Sequence, residues 1–251
     1  KSIRQILLID NDFNLLDVFF KDELSVNKNV HVFIMAGGKG KRLMPLTKEI
    51  PKPMLPVKGT PILERVLKDI SYYGLTNFTL SLNYKNDVIS NYFKDGKQFG
   101  FNIDYIVEEN FTGTINSLKL LNIKNCENIV LQNGDLLTDL NYNEFVNFHI
   151  DNCAFATMVI VEKSIKIPYG VIQYNNEHLN SITEKPYYNY KISAGIYCFN
   201  QEVIKIIKKY DFMDVNELFM FLIEKKYKTL CFMHTGKWVD IGSFAEYESV
   251  K

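Results

Sequence analysis

The sequence predicts an α/β protein: a mixed, mainly parallel sheet flanked by helices. Three observations carry that expectation. From residue 30 onward, short apolar runs alternate with stretches of helical periodicity. The chemically distinctive residues, a glycine loop, Glu108 and Asp135, fall just beyond the ends of predicted strands, where open α/β sheets hold ligands. The 251 residues are 47% hydrophobic and 14% aromatic, enough for one large core.

The elements read in order as follows. Residues 6–9 suit a strand, Asp10-Asn11-Asp12 a turn and residues 15–18 a second apolar run. This opening resembles the last strands of a cystathionine-β-synthase-type (CBS) regulatory domain. Residues 1–28 are therefore expected to be the remnant of such a domain plus a polar linker over 21–29, with the main domain at 30–251. Residue 1 is Lys rather than Met, so the chain is expected to be a piece of a longer one. Residues 30–35 suit a buried strand. A helix is expected from Pro61, an N1-type proline after Thr60, to Tyr73. Then come a strand at 78–82, a helix at 87–93, a strand at 103–107 and a helix at 114–121. A strand at 129–131 ends at Asn133-Gly134-Asp135. Interleaving of this kind implies right-handed crossovers. Residues 154–161, 170–173 and 192–199 look more antiparallel, and helices are expected at 202–209 and 215–225.

Composition removes several classes. With 29 basic and 29 acidic side chains, the chain lacks the positive excess of a nucleic-acid binder. The longest apolar run near the end, residues 218–223, is far too short for a membrane span, and there is no signal-peptide pattern. Cys126, Cys153, Cys198 and Cys231 are too dispersed for a zinc site and read as reduced thiols of a cytoplasmic protein.

Residues 35–43, Met35-Ala36-Gly37-Gly38-Lys39-Gly40-Lys41-Arg42-Leu43, carry the most chemistry. Three glycines in four positions let a backbone turn tightly and aim N–H groups at an anion. Arg42 adds a planar fork of donors suited to phosphate. The loop is neither a dinucleotide fingerprint, since the third glycine is missing, nor a P-loop, since Arg42 follows Gly40-Lys41. Pro51-Lys52-Pro53 holds a second cation in a stiff, extended segment. Asn133-Gly134-Asp135 suits either an ordinary turn or a carboxylate that shares Mg²⁺ with substrate phosphates. Asp240, between Val239 and Ile241, needs a partner if buried.

The whole string resembles the signature of sugar-1-phosphate nucleotidyltransferases, G-G-x-G-T-R-L followed by a P-K-P segment, with Lys41 in place of the usual Thr. The resemblance runs over residues 30–251 and implies the Rossmann-like nucleotide-diphospho-sugar transferase fold. It implies that Met35, Ala36, Gly37, Gly38, Gly40 and Gly134 contact the nucleotide and that Asp135 and Asp240 ligate Mg²⁺. Residues 108–116 resemble the family stretch E-x-x-x-x-G-T-A-G, with Ile115-Asn116 replacing Ala-Gly. There Gly113 and Thr114 would lie against the nucleoside and Glu108 would read the base. A carboxylate accepts two parallel hydrogen bonds, which guanine N1–H and N2–H₂ supply; uracil and thymine offer one N–H between two carbonyls. That chemistry favours GTP. Glu184-Lys185-Pro186 resembles the family segment whose glutamate binds sugar hydroxyls and whose lysine meets the sugar phosphate. Tyr169-Gly170-Val171 and Ser193-Ala194-Gly195-Ile196-Tyr197 match segments lining the sugar pocket, with Ile196 and Tyr197 read as core.

The implied reaction joins an NTP to a sugar-1-phosphate with loss of pyrophosphate. Arg42 would hold the leaving pyrophosphate, Lys52 the α-phosphate and Lys185 the incoming phosphate. Within the family, the CBS-like opening and residues 38–47 are most similar to bacterial guanylyltransferases that use glucosamine-1-phosphate in legionaminic acid biosynthesis. Heptose- and mannose-1-phosphate guanylyltransferases are the runners-up. A regulatory subunit that binds nucleotide sugars without turnover would lack one of Arg42, Lys52, Asp135, Lys185 or Asp240; all five are present. The expected partners are GTP and a sugar-1-phosphate, a second copy in a homodimer, and a nucleotide effector acting through a preceding CBS domain.

Overall fold

The computed structural model describes residues 5–10, 13–20, 29–108, 115–122, 126–210, 212 and 214–251. It opens with an antiparallel hairpin, β1 (Gln5–Ile9) and β2 (Leu15–Phe20). Next come β3 (Val30–Met35), a bridge between β4 (Pro56–Val57) and β5 (Thr60–Pro61), and α1 (Ile62–Tyr72). Then follow β6 (Asn77–Leu82), α2 (Asn86–Phe93), β7 (Asn102–Val107), β8 (Asn128–Asn133), β9 (Leu136–Thr138) and α3 (Tyr142–Asp151). The second half holds β10 (Ala156–Lys166), β11 (Gly170–Asn175), β12 (His178–Glu184) and β13 (Tyr187–Asn200). It ends with α4 (Val203–Lys209), α5 (Val215–Glu224), β14 (Thr229–Met233), β15 (Trp238–Asp240) and α6 (Phe244–Val250).

Seven strands form the central sheet in the order β14-β10-β13-β8-β3-β6-β7. Every neighbouring pair is parallel except the two that β13 makes, so β13 alone runs against the rest. The mainly parallel sheet matches expectation. The expected antiparallel strands do pair that way, β10 with β13, β13 with β8 and β11 with β12, and β10 is in addition parallel to β14.

Alternation sorts the core into two layers. Val32 and Ile34 pack with α1 on one face, while Phe33, Ile129 and Leu131 pack with α4 and α5 on the other. Helix α1 buries Ile62, Leu63, Val66, Leu67 and Ile70, a stripe at helical spacing. Truncating one such residue, as in Leu67→Ala, would cost about 2–5 kcal/mol. Side chains cap α3 and α5: Asn141 accepts from the N–H groups of Asn143 and Glu144, and Asp214 from that of Glu217.

Three local expectations differ from the structure. Pro61 is the N-cap of α1 rather than its first helical residue. Lys52 opens a 3₁₀ turn over Lys52–Met54 instead of continuing the extended segment of Pro51. The helix expected at 114–121 is a 3₁₀ turn over Asn116–Leu120.

Between β10 and β13 the chain leaves the sheet. These strands stay paired from Glu162↔Lys191 to Lys166↔Tyr187, and the β11–β12 hairpin joins them. β12 and the outer ends of β10 and β13 are exposed throughout.

Candidate functional site

The carboxyl ends of β3, β6 and β8 meet at one edge. Backbone hydrogen bonds lace them together there: Ala36 N–H to Ser81 O at 2.9 Å, Gly134 N–H to Met35 O at 2.9 Å and Glu108 N–H to Leu82 O at 2.8 Å. A cleft of about 200 Å³ opens at this edge. Met35 to Gly38 form one wall, Asn133, Gly134 and Asp135 a second, Lys52 and Pro53 a third, and Ser81 with Glu108 the inner end. Gly134 sits so close to Met35 that a Cβ would lie 3.2 Å from its carbonyl oxygen.

The glycine loop keeps its donors available. Among the described residues, the N–H groups of Gly37, Gly38, Lys39 and Gly40 donate to no protein acceptor. Unspent N–H groups at a strand end suit an anion. Gly40 has φ +60°, and a Cβ there would lie 2.9 Å from Thr47 Cγ2 and 3.0 Å from Lys52 Cβ. The buried Thr47 donates its hydroxyl to Gly40 O at 2.9 Å, fixing the turn. The missing side chain at Gly40 lets the Lys52 stem pack directly against the loop.

Two carboxylates face the cations. Asp135 follows β8 and forms an ion pair with the buried Lys52. β9 and β15 then form an antiparallel ribbon in which Asp240 pairs with Leu136, so Asp240 comes beside Asp135. Burial raises the Asp240 carboxyl above its ordinary range; Asp135 and Glu246 push the same way, against Lys52 and Arg42. Arg42 is exposed, and its guanidinium lies over Gly242, where a Cβ would be 3.2 Å from Nη1. Ser243 and Glu246 cap α6 reciprocally: Ser243 Oγ accepts from Glu246 N–H, and Glu246 Oε2 accepts from Gly242 N–H at 3.0 Å. That box holds the loop after Asp240 in place.

At the inner end, the Ser81 hydroxyl donates to Glu108 Oε1. Asn83 Nδ2 donates to Glu108 O at 2.6 Å. Glu108 Oε2 is buried and has no partner among the described residues. Gly113 and Thr114 lie outside the described residues.

The residues expected to meet the sugar and its phosphate form a second group at the base of the arm made by the β11–β12 hairpin and the outer ends of β10 and β13. Gly170 pairs with Glu184, Lys185 N–H donates to Tyr169 O at 3.2 Å, and Lys185 Nζ is 3.5 Å from Glu184 Oε1. All four are exposed, and none lines the 200 Å³ cleft. Ala194 is fully buried, and its carbonyl accepts from Trp238 Nε1 at 2.9 Å. Gly195 packs against Asn133, with φ +72°. Ile196 and Tyr197 are core, as expected. Sequence reasoning missed Ser81, Asn83 and Glu246. The only signal for Ser81 was a hydroxyl within the apolar strand run 78–82.

A larger cleft of about 430 Å³ lies across the β9–β15 ribbon, between α1 and the end of α6. Glu108, Asp135 and the glycine loop do not line it. Residues 35–38, Lys52, Glu108, Gly134 and Asp135 line the smaller cleft, while Gly40, Arg42 and Asp240 line neither.

Comparison with known proteins agrees with this geometry. The nucleotidyl transferase family model matches residues 31–251. The chain is 32% identical over 225 residues to the mannose-1-phosphate guanyltransferase of Pichia angusta, covering 86% of this chain and 62% of that protein. It is 30% identical over 234 residues to the UTP–glucose-1-phosphate uridylyltransferase of Synechocystis, covering 85% and 60%. The chain thus spans about three-fifths of the length of these curated relatives. Among solved structures, HddC from Yersinia pseudotuberculosis superposes with a TM-score of 0.68 at 28% identity, covering 88% of this chain and 97% of that one. HddC has also been solved complexed with GMP-PN. A putative glucose-1-phosphate thymidylyltransferase from Bacillus anthracis shares the fold, with a TM-score of 0.71 at 22% identity and coverage of 88% and 93%.

Proposed function

On the premise that the chain belongs to the nucleotidyl transferase family, we propose that it transfers a guanylyl group from GTP to a sugar-1-phosphate and releases pyrophosphate. The observation that carries this reading is the meeting of three features at one sheet edge. They are a loop with unspent N–H donors, the Lys52–Asp135 pair with Asp240 beside it, and at the inner end a half-buried carboxylate with one buried oxygen that has no partner among the described residues.

An oxygen of the sugar phosphate attacks the α-phosphorus, and the bond to the bridging oxygen of pyrophosphate breaks in line. The nucleophile is already ionised at neutral pH, so the protein needs no general base. Its work is positioning and charge neutralisation. The glycine loop and Arg42 hold the pyrophosphate, Lys52 the α-phosphate and Lys185 the incoming phosphate.

Magnesium suits the donor set. Among the described residues, no group of three or more His, Cys, Asp or Glu side chains could enclose a metal. A pair of carboxylates completed by substrate phosphates and water is the arrangement Mg²⁺ favours. Asp135 and Asp240 would hold the ion, which when bound neutralises phosphate charge. Burying Asp240 beside another carboxylate is costly for the free protein, and a bound cation would relieve that cost.

Glu108 supports guanine, because its free Oε2 and the remaining lone pair of Oε1 match two adjacent N–H donors. Glucosamine-1-phosphate is the acceptor favoured by residues 38–47. Mannose-1-phosphate is a second reading, favoured by the guanyltransferase relative at 32% identity.

A pyrophosphate-release screen of GTP, ATP, UTP and dTTP against glucosamine-, mannose-, heptose- and glucose-1-phosphate tests the proposal. GTP with a hexose- or heptose-1-phosphate should give the highest rate. Silence with every pair would leave a nucleotide-sugar-binding protein without turnover.

A further inference from the structure

We infer that Ser81 is a positioning residue for base selection, its hydroxyl holding the Glu108 carboxylate in the orientation that favours guanine over uracil. The inference rests on the reading of Glu108 as the base-reading group.

Ser81 lies on β6 with 1% of its surface exposed. Along β6, Phe78, Leu80 and Leu82 join the core on the α1 side, and Thr79 and Ser81 point the other way. Each of these two hydroxyls meets an ionisable partner: Thr79 Oγ1 is 2.8 Å from His31 Nε2, and Ser81 Oγ donates to Glu108 Oε1. A buried hydroxyl left unpaired is costly, so the Ser81–Glu108 bond resists separation. It is also charge-assisted, the stronger kind.

Ser81 joins two parts of the cleft. Its carbonyl accepts from Ala36 N–H, where the glycine loop begins. Its side chain reaches Glu108 at the opposite end. The Glu108 backbone is fixed independently, its N–H by Leu82 O and its carbonyl by Asn83 Nδ2. Only side-chain rotation remains free, and the Ser81 bond removes it.

Lone-pair counting shows what this orientation does. A carboxylate has about four acceptor sites, and the hydroxyl takes one on Oε1. One site on Oε1 and two on Oε2 remain for a base edge. Guanine fills two of them in parallel. A freely rotating carboxylate could turn one oxygen to uracil N3–H and swing the other away from the flanking carbonyls. A pinned carboxylate cannot, so both oxygens confront the uracil edge and one faces a carbonyl. Ser81 therefore acts on the ratio between bases more than on turnover with GTP.

The test is a double-mutant cycle on the full chain, with kcat/KM measured for GTP and UTP. Ser81→Ala and Ser81→Cys both remove the strong donor, and Cys retains the volume if Ala folds poorly. Each should lower the GTP:UTP ratio about tenfold, the energy of one charge-assisted hydrogen bond. Most of the change should appear in KM for GTP. Glu108→Gln should collapse the ratio, and adding Ser81→Ala to it should change nothing further. If Glu108→Gln collapses the ratio but both Ser81 variants keep the wild-type value, the positioning role is overturned while the base reader stands. Equal effects of Ser81→Ala with and without Glu108→Gln would also overturn it. A flat ratio in Glu108→Gln would overturn both readings.

Discussion

The nucleotide edge and the sugar arm are built in opposite ways. Ala36, Lys52, Ser81 and Gly134 are buried, and backbone bonds tie their strands together. Tyr169, 74% exposed, stands with Gly170, Glu184 and Lys185 on a hairpin held mainly by its own ladder. One half is arranged before any ligand arrives. The other projects from the sheet with its side chains mostly exposed to solvent. If the proposed guanylyl transfer holds, transition-state charge would be handled by the rigid half and acceptor affinity set by the arm. Variants should separate the two.

Lys52→Ala should have the largest effect. Removing a preorganised charge-stabilising group costs about 10²–10³ in rate. Turnover should fall by that factor while circular dichroism stays native; near-normal turnover would remove Lys52 from the site.

Acid should attack the rigid half next. His31, buried on β3, is lowered to about 4, chiefly by burial, with Asp104 partly offsetting it. Its folded pKa lies below the unfolded value, so below pH 6.5 the unfolded chain takes up a proton that the native chain refuses. Stability is full above pH 6.5 and declines as pH falls toward about 4. His31→Gln should shrink the loss between pH 7 and pH 5 by on the order of 1–2 kcal/mol, measured by guanidinium titration.

Lys185→Ala probes the arm. KM for the sugar-1-phosphate should rise roughly tenfold, as for a lost charge-assisted bond. KM for GTP and the melting temperature should stay put. A matching rise in KM for GTP would show that the two halves are not separable.

Asp240→Asn should give the smallest shift in stability and the most telling sign. A raised carboxyl opposes folding once ionised, above its folded pKa, so at pH 7 the Asn variant should melt slightly higher. Its Mg²⁺ requirement should rise at the same time. A wild-type Mg²⁺ titration would make Asp240 purely structural.

Local signals made much of the rigid half legible. The apolar run 30–35 fills β3, and the stripe at 62–70 fills α1. The glycine loop and Asp135 lie at strand ends, as their spacing implied. What stayed hidden depends on distant pairing. β9 and β15 are three residues each, too short for a periodic signal, yet their register alone puts Asp240 beside Asp135. The Ser81–Glu108 bond crosses 27 positions, and nothing near Ser81 announces it. Lys52 turns rather than extends because tertiary contacts beside Gly40 and Asp135 override the preference before Pro53. The arm's exposure was illegible too, since β11 and β12 carry the Val, Ile and Tyr residues of buried strands.

The most direct test follows a label at the α-phosphorus of GTP, with and without a sugar-1-phosphate. Guanylyl transfer predicts that the label moves into a nucleotide sugar only when the sugar phosphate is present. It also predicts that Lys185→Ala is rescued by excess sugar phosphate and Lys52→Ala is not. Label released as GMP at the same rate without sugar phosphate, or label retained in GTP under every condition, would contradict it.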